Sequence, residues 1–350
     1  MPNKGYVCPP GGEEPGRKNE VAYCLGACKR PCITPPLLAA MHKSSRENYH
    51  KGSYISASML SGGGCARQVM FERYIEYYDV PTRSYWAFRG THAHAIIEGA
   101  QDLIAQYGWL QEIRMATTLT YDLPSPIFDE AGLWTGAFDE KTALEIVVRG
   151  TCDAYNPLTR TLVDCKSMAD KKVEMMIKGK TPGTYSKNLQ DSWVAQLNIY
   201  RFLIGRTPIP DEVKTKFKEY GLPAIRGKTF PSPNKLFIQG IAMMSHPVSG
   251  STLAHKERGG VTLYDIDNVP VWNMQDIESF IRPKALMWYK ALNMQVRPPV
   301  VTSENSWLCK NCVFNGNECH PEEERTAAVT KVEDVGTEMP FTLLKENTNG

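Results

Sequence analysis

An α/β fold is what this sequence predicts, and three observations carry the expectation. Apolar residues recur at helical spacing over 84–108 and again over 190–204. Between those segments lies a stretch rich in Thr, Val, Ile and Leu, cut into strand-length pieces by prolines, glycines and an Asn156-Pro157 turn. An apolar strand over 236–245 and a helix over 274–294 follow, so the two element types interleave along the chain.

The elements follow in order. Residues 1–50, rich in Pro, Gly and Cys without a clear period, read as an irregular arm. Residues 56–78 are helical around a break at Ser61-Gly62-Gly63-Gly64. In the helix at 84–108, Ala93, Ile97, Ala100, Ile104 and Tyr107 form one stripe and Gly108 stops it. Strands are expected over 112–121, 133–138, 143–154 and 160–167, separated by Pro124, Pro126, Gly132 and Asn156-Pro157. In the helix at 190–204, Trp193, Leu197, Tyr200 and Ile204 share a stripe. Residues 205–235, rich in Pro and Lys, read as an insertion, and 321–350 as an acidic tail. No internal repeat is visible.

Composition sets the bounds. A chain of 350 residues with 42% hydrophobic and 22% charged content is an ordinary globular protein, which excludes a disordered chain, a coiled coil and a collagen-like fibre. Length alone predicts about two domains. No apolar run approaches the roughly 18 residues that span a bilayer. Met1-Pro-Asn-Lys-Gly5 shows no apolar leader, so a cytoplasmic location without membrane contact is expected. The net charge is +2, but 321–350 hold seven acidic residues against three basic ones, which leaves a mildly basic body that permits a polyanionic ligand.

Arg149-Gly-Thr-Cys-Asp153 and Leu162-Val-Asp-Cys-Lys166 flank a turn. Two strands joined there place Asp153 near Asp164, and strand alternation puts Asp164 and Lys166 on one face. Two carboxylates and an ammonium crowded on a sheet face are costly unless a divalent cation compensates them, and hard oxygen ligands favour Mg²⁺ or Mn²⁺. Such an ion steadies a phosphoryl oxygen while Lys166 orients water, with Asp164 facing a solvated cleft. The plain alternative is a hairpin with a solvated charged face. Asp139-Glu140-Lys141 is a competing cluster, but no strand-borne carboxylate follows at a fitting distance. His94, in Arg89-Gly-Thr-His-Ala-His94, sits beside the apolar stripe, and Gln196 and Tyr200 stand one helical turn apart.

Ten cysteines without a secretion signal point to metal ligands rather than disulfides. Cys309, Cys312 and Cys319 contain a Cys-x-x-Cys, and a fourth thiolate would complete an iron–sulfur cluster. A zinc site of four cysteines, or with His320 as fourth ligand, is the alternative. Cys8, Cys24, Cys28 and Cys32 form a second set, read either as a further zinc site or as free thiols. Pro31 disfavours a helix through the last of them.

In this order the motifs resemble the PD-(D/E)XK nucleases of the RecB-like iron–sulfur exonuclease type, which include the CRISPR-associated RecB-like exonucleases and the nuclease domain of AddB. The family pattern falls on Cys65, on Gly90 with His94, on Gly150 with Asp153, on Asp164 with Lys166, on Gln196 with Tyr200, and on Cys309, Cys312 and Cys319. The six residues between Cys312 and Cys319 are more than the pattern has, which bears on the cluster type. The resemblance implies a restriction-endonuclease-like core, a mixed central sheet flanked by helices, with an iron–sulfur subdomain formed by both ends of that core. It spans about 54–320, within a nuclease domain at 51–320 that carries an insertion at about 205–275.

By that resemblance His94, Asp153, Asp164 and the Cys165 carbonyl bind Mg²⁺ or Mn²⁺. Lys166 positions or deprotonates the attacking water, Gln196 and Tyr200 hold Lys166 or the DNA strand, and Cys65, Cys309, Cys312 and Cys319 hold a structural 4Fe-4S cluster. The implied activity is hydrolysis of DNA phosphodiesters, exonucleolytic on single strands or duplex ends. The implied setting is phage recombination or replication, DNA repair or CRISPR adaptation, with proteins of those processes as partners. Lys171, Lys172, Lys178 and Lys180, and the basic stretch 211–235, are candidate phosphate contacts. The rival expectations are a non-catalytic DNA-binding or scaffold protein on the same fold, and a redox enzyme, which the lack of a Gly-x-Gly-x-x-Gly fingerprint disfavours.

Overall fold

The computed structural model describes residues 3–9, 13–30, 32–47, 54–62, 65–75, 77–79, 101–168, 187–242, 262–266 and 269–298, with single positions at 81, 85, 88, 99, 312, 314 and 319. The greater part of the expected helix at 84–108, the lysines at 171–180 and the acidic tail lie outside the described residues.

Among the described residues six strands make a mixed central sheet. They are β3 (Ile55–Ser56), β5 (Leu110–Phe128), β6 (Trp134–Asn156), β7 (Thr161–Met168), β8 (Lys235–Ala242) and β9 (Thr262–Ile266). The order is β3-β6-β7-β8-β9, with β5 also on β6. β6 runs antiparallel to β5 and β7 and parallel to β3, β7 runs parallel to β8, and β8 antiparallel to β9.

Helices flank this sheet. The main ones are α6 (Lys187–Ile204) and α8 (Met274–Asn293), and shorter ones are α3 (Ala57–Leu60), α4 (Ala66–Tyr74), α5 (Gln101–Ala105) and α7 (Asp211–Glu219). α8 begins at Asn273, whose side chain accepts the Asp276 N–H, and it buries Ile277, Ile281, Ala285, Trp288 and Leu292, a stripe at helical spacing. α6 buries Leu197, Ile199, Phe202 and Leu203 in the same core as Tyr155 and Leu162 of the sheet. Its fully buried Asn198 donates to the Val194 and Pro270 carbonyls and accepts the Trp272 N–H at 2.9 Å, so the approach to α8 is pinned to α6 with the amide satisfied.

Three expectations are corrected. The strands foreseen as 112–121, 133–138 and 143–154 are two long ones, and Pro124 and Pro126 lie inside β5. Among the described residues β5 pairs only with β6, and register shifts around Tyr121, Pro124 and Phe128 absorb the missing amide donors. The described part of the stretch about 205–275 is built into the core: it supplies β8, the parallel neighbour of β7, and β9, while Ile209, Phe217 and Phe230 join the main core.

The N-terminal segment is not irregular either. β1 (Gly5–Val7) and β2 (Lys18–Glu20) form a hairpin, followed by α1 (Val21–Gly26) and α2 (Pro35–Glu47). β1 pairs in parallel with β4 (Tyr78–Asp79), and Tyr6, Leu38 and Met41 are buried. A long-range strand pairing and a few apolar anchors order a sequence that has no local period. Among the described residues no helix is long and apolar enough to cross a membrane.

Candidate active site

β6 and β7 deliver the first residues. Their ladder ends at the pair Ala154–Val163, and just beyond it the Asp153 carboxylate accepts the Cys165 N–H at 2.6 Å. On β7, Asp164 is only 2% exposed, so it does not face a solvated cleft as the sequence led us to expect. Its charge is met by the Lys166 ammonium, 2.8 Å from one carboxylate oxygen and 3.2 Å from the other. A buried carboxylate is tolerated when it is paired in this way.

α6 supplies the other half. Lys166 also donates to the Gln196 carbonyl oxygen at 3.1 Å, and the Gln196 amide donates to the Tyr200 hydroxyl at 2.7 Å. The direction of this chain follows from its chemistry: an ammonium can only donate, so the amide must turn its oxygen to Lys166 and its nitrogen to Tyr200. The Tyr200 hydroxyl is held well above the usual phenol range, first by burial and then by the Asp164 charge. The Cys165 thiol is pushed up to about 12 by burial and by the Asp153 and Asp164 charges, and the Cys152 thiol is raised chiefly by burial. Both thiols therefore stay neutral beside the carboxylates.

Gly150 explains how α6 comes so close. A Cβ there would meet Tyr200 Cε1 at 3.0 Å and Leu203 Cδ1 at 3.1 Å. Only glycine lets the tyrosine ring lie against β6 at that point.

Five residues singled out in the sequence, Asp153, Asp164, Lys166, Gln196 and Tyr200, are thus brought into one connected set. His94 lies outside the described residues, as do Lys171, Lys172, Lys178 and Lys180. Of the second basic stretch, Lys214, Lys216 and Lys218 are exposed on α7, with Lys214 bonded to Asp211. One residue escaped sequence reading. Glu112 of β5 stands at the register position opposite Asp153, has a left-handed backbone (φ 46°), and its charge adds to the upward shift of both Cys152 and Cys165. An acidic residue in an otherwise alternating strand carried no distinguishing signal.

The C-terminal cysteines approach the start of the core. Cys65 immediately precedes α4, and Arg67, 3% exposed, donates to the Pro298 carbonyl at 2.9 Å and to the Cys319 carbonyl at 2.5 Å. Met70 and Phe71 of α4 pack with Phe314 and Cys319, with Cys312 beside them. Cys309 lies outside the described residues. Among the described residues, no three His, Cys, Asp or Glu side chains converge as a metal-binding group.

No family model matches this chain, and no curated protein does. Among solved structures it is similar to the crystal structure of SSO0001, with 14% sequence identity and a TM-score of 0.38 over 79% of this chain and 91% of that one.

The oxygen-rich donor set offered by Asp153, Asp164 and the Cys165 carbonyl suits a hard divalent cation of the Mg²⁺ or Mn²⁺ type. The four N-terminal cysteines form a separate set: Cys8, Cys24, Cys28 and Cys32 line one recess between the hairpin and α1.

Proposed function

We propose that this chain is a metal-dependent deoxyribonuclease of the RecB-like PD-(D/E)XK type, acting as an exonuclease on single strands or duplex ends in the cytoplasm. The reading rests on one observation: the chain of contacts from Asp164 through Lys166 and Gln196 to Tyr200, with Asp153 bonded to the Cys165 N–H between Asp164 and Lys166. Asp153 and Asp164 would hold Mg²⁺ or Mn²⁺, which when bound supplies Lewis-acid stabilisation of the phosphoryl oxygens.

The chain's own residues do the rest. Asp164 and Gln196 hold the Lys166 ammonium from two sides, so its third donor direction is available to a water or a phosphate oxygen. Lys166 there orients the attacking water and offsets charge that develops on the phosphate. Tyr200, kept protonated, fixes the Gln196 amide and through it the lysine. Cys65, Cys309, Cys312 and Cys319 would hold a structural 4Fe-4S cluster or, at the same thiolates, zinc. Docking of α4 on the Cys319 carbonyl by Arg67 supports the joining of both ends of the core. Recombination, repair or CRISPR adaptation is the corresponding setting.

The test is digestion of end-labelled linear and closed circular DNA by anaerobically purified protein with Mg²⁺ or Mn²⁺. Loss of label from linear DNA with survival of circles is expected. Intact linear single- and double-stranded DNA in both metals would overturn the reading in favour of a non-catalytic DNA-binding protein.

A further inference from the structure

Cys8 ends the first hairpin: its N–H donates to the Arg17 carbonyl and its carbonyl accepts the Gly16 N–H, both at 2.8 Å. Gly16 makes that turn with φ 84°, a conformation glycine adopts without strain. Cys24 lies in α1, and Cys28 follows the helix end, where its N–H bonds the Tyr23 carbonyl at 3.0 Å. Glu13 locks hairpin and helix together by accepting the Lys29 N–H at 2.9 Å and the Tyr23 hydroxyl at 3.2 Å. The four thiols, separated by up to 24 positions in sequence, thus border one recess of about 20 Å³, together with Arg30.

Among the described residues this lobe has few other apolar anchors. Tyr6, Leu38 and Met41 are its deeply buried apolar anchors, and its strands are three residues long. Segments of this size ordinarily need a metal or disulfides to stay folded. Among the described residues every cysteine is a free thiol, so a metal is open to these four.

We propose that Cys8, Cys24, Cys28 and Cys32 form a tetrathiolate zinc site that staples the N-terminal lobe, distinct from the cysteines at 65 and 309–319. Binding forms four Zn–S bonds at about 2.3 Å and releases the thiol protons to solvent. The resulting centre carries a net charge of about two minus, which Arg30 on the recess wall offsets by half. As they stand the four sulfurs do not converge, so closure requires side-chain rotation to bring them to one point; Cys8, Cys24 and Cys28 are partly exposed and Cys32 is exposed, so they can turn. Four thiolates satisfy the tetrahedral coordination of a structural zinc, which is the ion proposed.

The consequence reaches beyond the lobe. β1 pairs with β4, Lys4 donates to the Tyr77 carbonyl at 2.9 Å, and Tyr77 packs edge-on against Phe314 at 5.6 Å. The zinc lobe would therefore brace the wall that carries the C-terminal cysteines.

The experiment is alkylation of the native full-length protein with iodoacetamide in the presence of a phosphine reductant, read peptide by peptide by mass spectrometry. The expected result is that all four cysteines label at least ten-fold more slowly than free thiols, and that a zinc chelator unmasks the four together while releasing one zinc. Cys24→Ser with Cys28→Ser should lose that one equivalent and unmask Cys8 and Cys32 to the free-thiol rate. Labelling of Cys8, Cys24, Cys28 and Cys32 at free-thiol rates in zinc-supplemented protein would overturn the site. Iron and sulfide in place of zinc at these four cysteines, or protection that survives the chelator, would overturn it equally.

Discussion

The Asp153 carboxylate, one residue past the last β6–β7 pair, Ala154–Val163, accepts at 2.6 Å the backbone N–H of Cys165, two residues past that pair on β7. The side chain takes over where the backbone ladder stops. The two strands can part there without stranding an amide, and the carboxylate is fixed against the strand that carries Asp164 and Lys166. Opening of the sheet and anchoring of the Asp153 side chain are one event at this position.

Asp164 and Lys166 act as a unit in the proposed nuclease. Either Asp164→Ala or Lys166→Ala should lower kcat by about 10³-fold, and the double variant should be little worse than the single ones. Stability should separate them. Lys166→Ala leaves a buried carboxylate without its cation and should cost about 3 kcal/mol, whereas Asp164→Ala leaves an ammonium that is 20% exposed and should cost less. Urea unfolding of the three proteins checks the order, and a larger loss for the aspartate variant would refute it.

Gly150→Ala should cost about 1–3 kcal/mol by forcing a methyl against Tyr200 and Leu203. It should also weaken catalysis, because Tyr200 would be displaced from Gln196. A double-mutant cycle with Tyr200→Leu measures this: the coupling should be large, since the smaller side chain relieves the clash. Additive effects would mean that Gly150 matters for some other reason.

Tyr121 donates its hydroxyl proton to the Arg282 carbonyl at 2.7 Å, and burial pushes its pKa up to about 12. A folded-state pKa above the unfolded value of about 10 stabilises the fold fully below pH 10, and that stability is lost as the pH rises toward 12. Tyr121→Phe should cost about 1 kcal/mol at pH 7 and flatten the fall in stability between pH 10 and 12. Equilibrium unfolding across that range reads both effects; an unchanged alkaline slope would sink the assignment.

Arg67→Met should free the Pro298 and Cys319 carbonyls from α4 and cost about 3 kcal/mol, because a charged donor to buried carbonyls is lost. Anaerobically purified wild-type protein should be brown with iron and sulfide, and the variant should hold less iron. Full iron content and unchanged thermal stability in Arg67→Met would separate the arginine from the cysteine centre.

What could be seen in the sequence depended on how far the cause lay from its effect. α6 was visible because its stripe at Trp193, Leu197, Tyr200 and Ile204 is local and uninterrupted. Asp153, Asp164 and Lys166 were visible because strand alternation and one turn relate them. The role of Gly150 was hidden, since its cause is a ring fifty positions later, on Tyr200. β1 was hidden because its partner is β4, and nothing in three residues announces so distant a pairing. Pro124 and Pro126 misled because an edge strand tolerates them. β8 was recognised as a strand but assigned to an insertion, because a parallel pairing has no adjacent turn to mark it.

Arg67 grips carbonyls 231 and 252 positions further along the chain. At about 5–20 residues per second of synthesis, α4 spends roughly 10 to 50 s on the ribosome before its partners exist. The contacts among residues 150–204, by contrast, can close soon after β7 and α6 have emerged. The helix translated among the first is thus among the last to be seated, and its apolar residues Met70 and Phe71 stay unburied through that interval. That window is when a chaperone would have the most to shield.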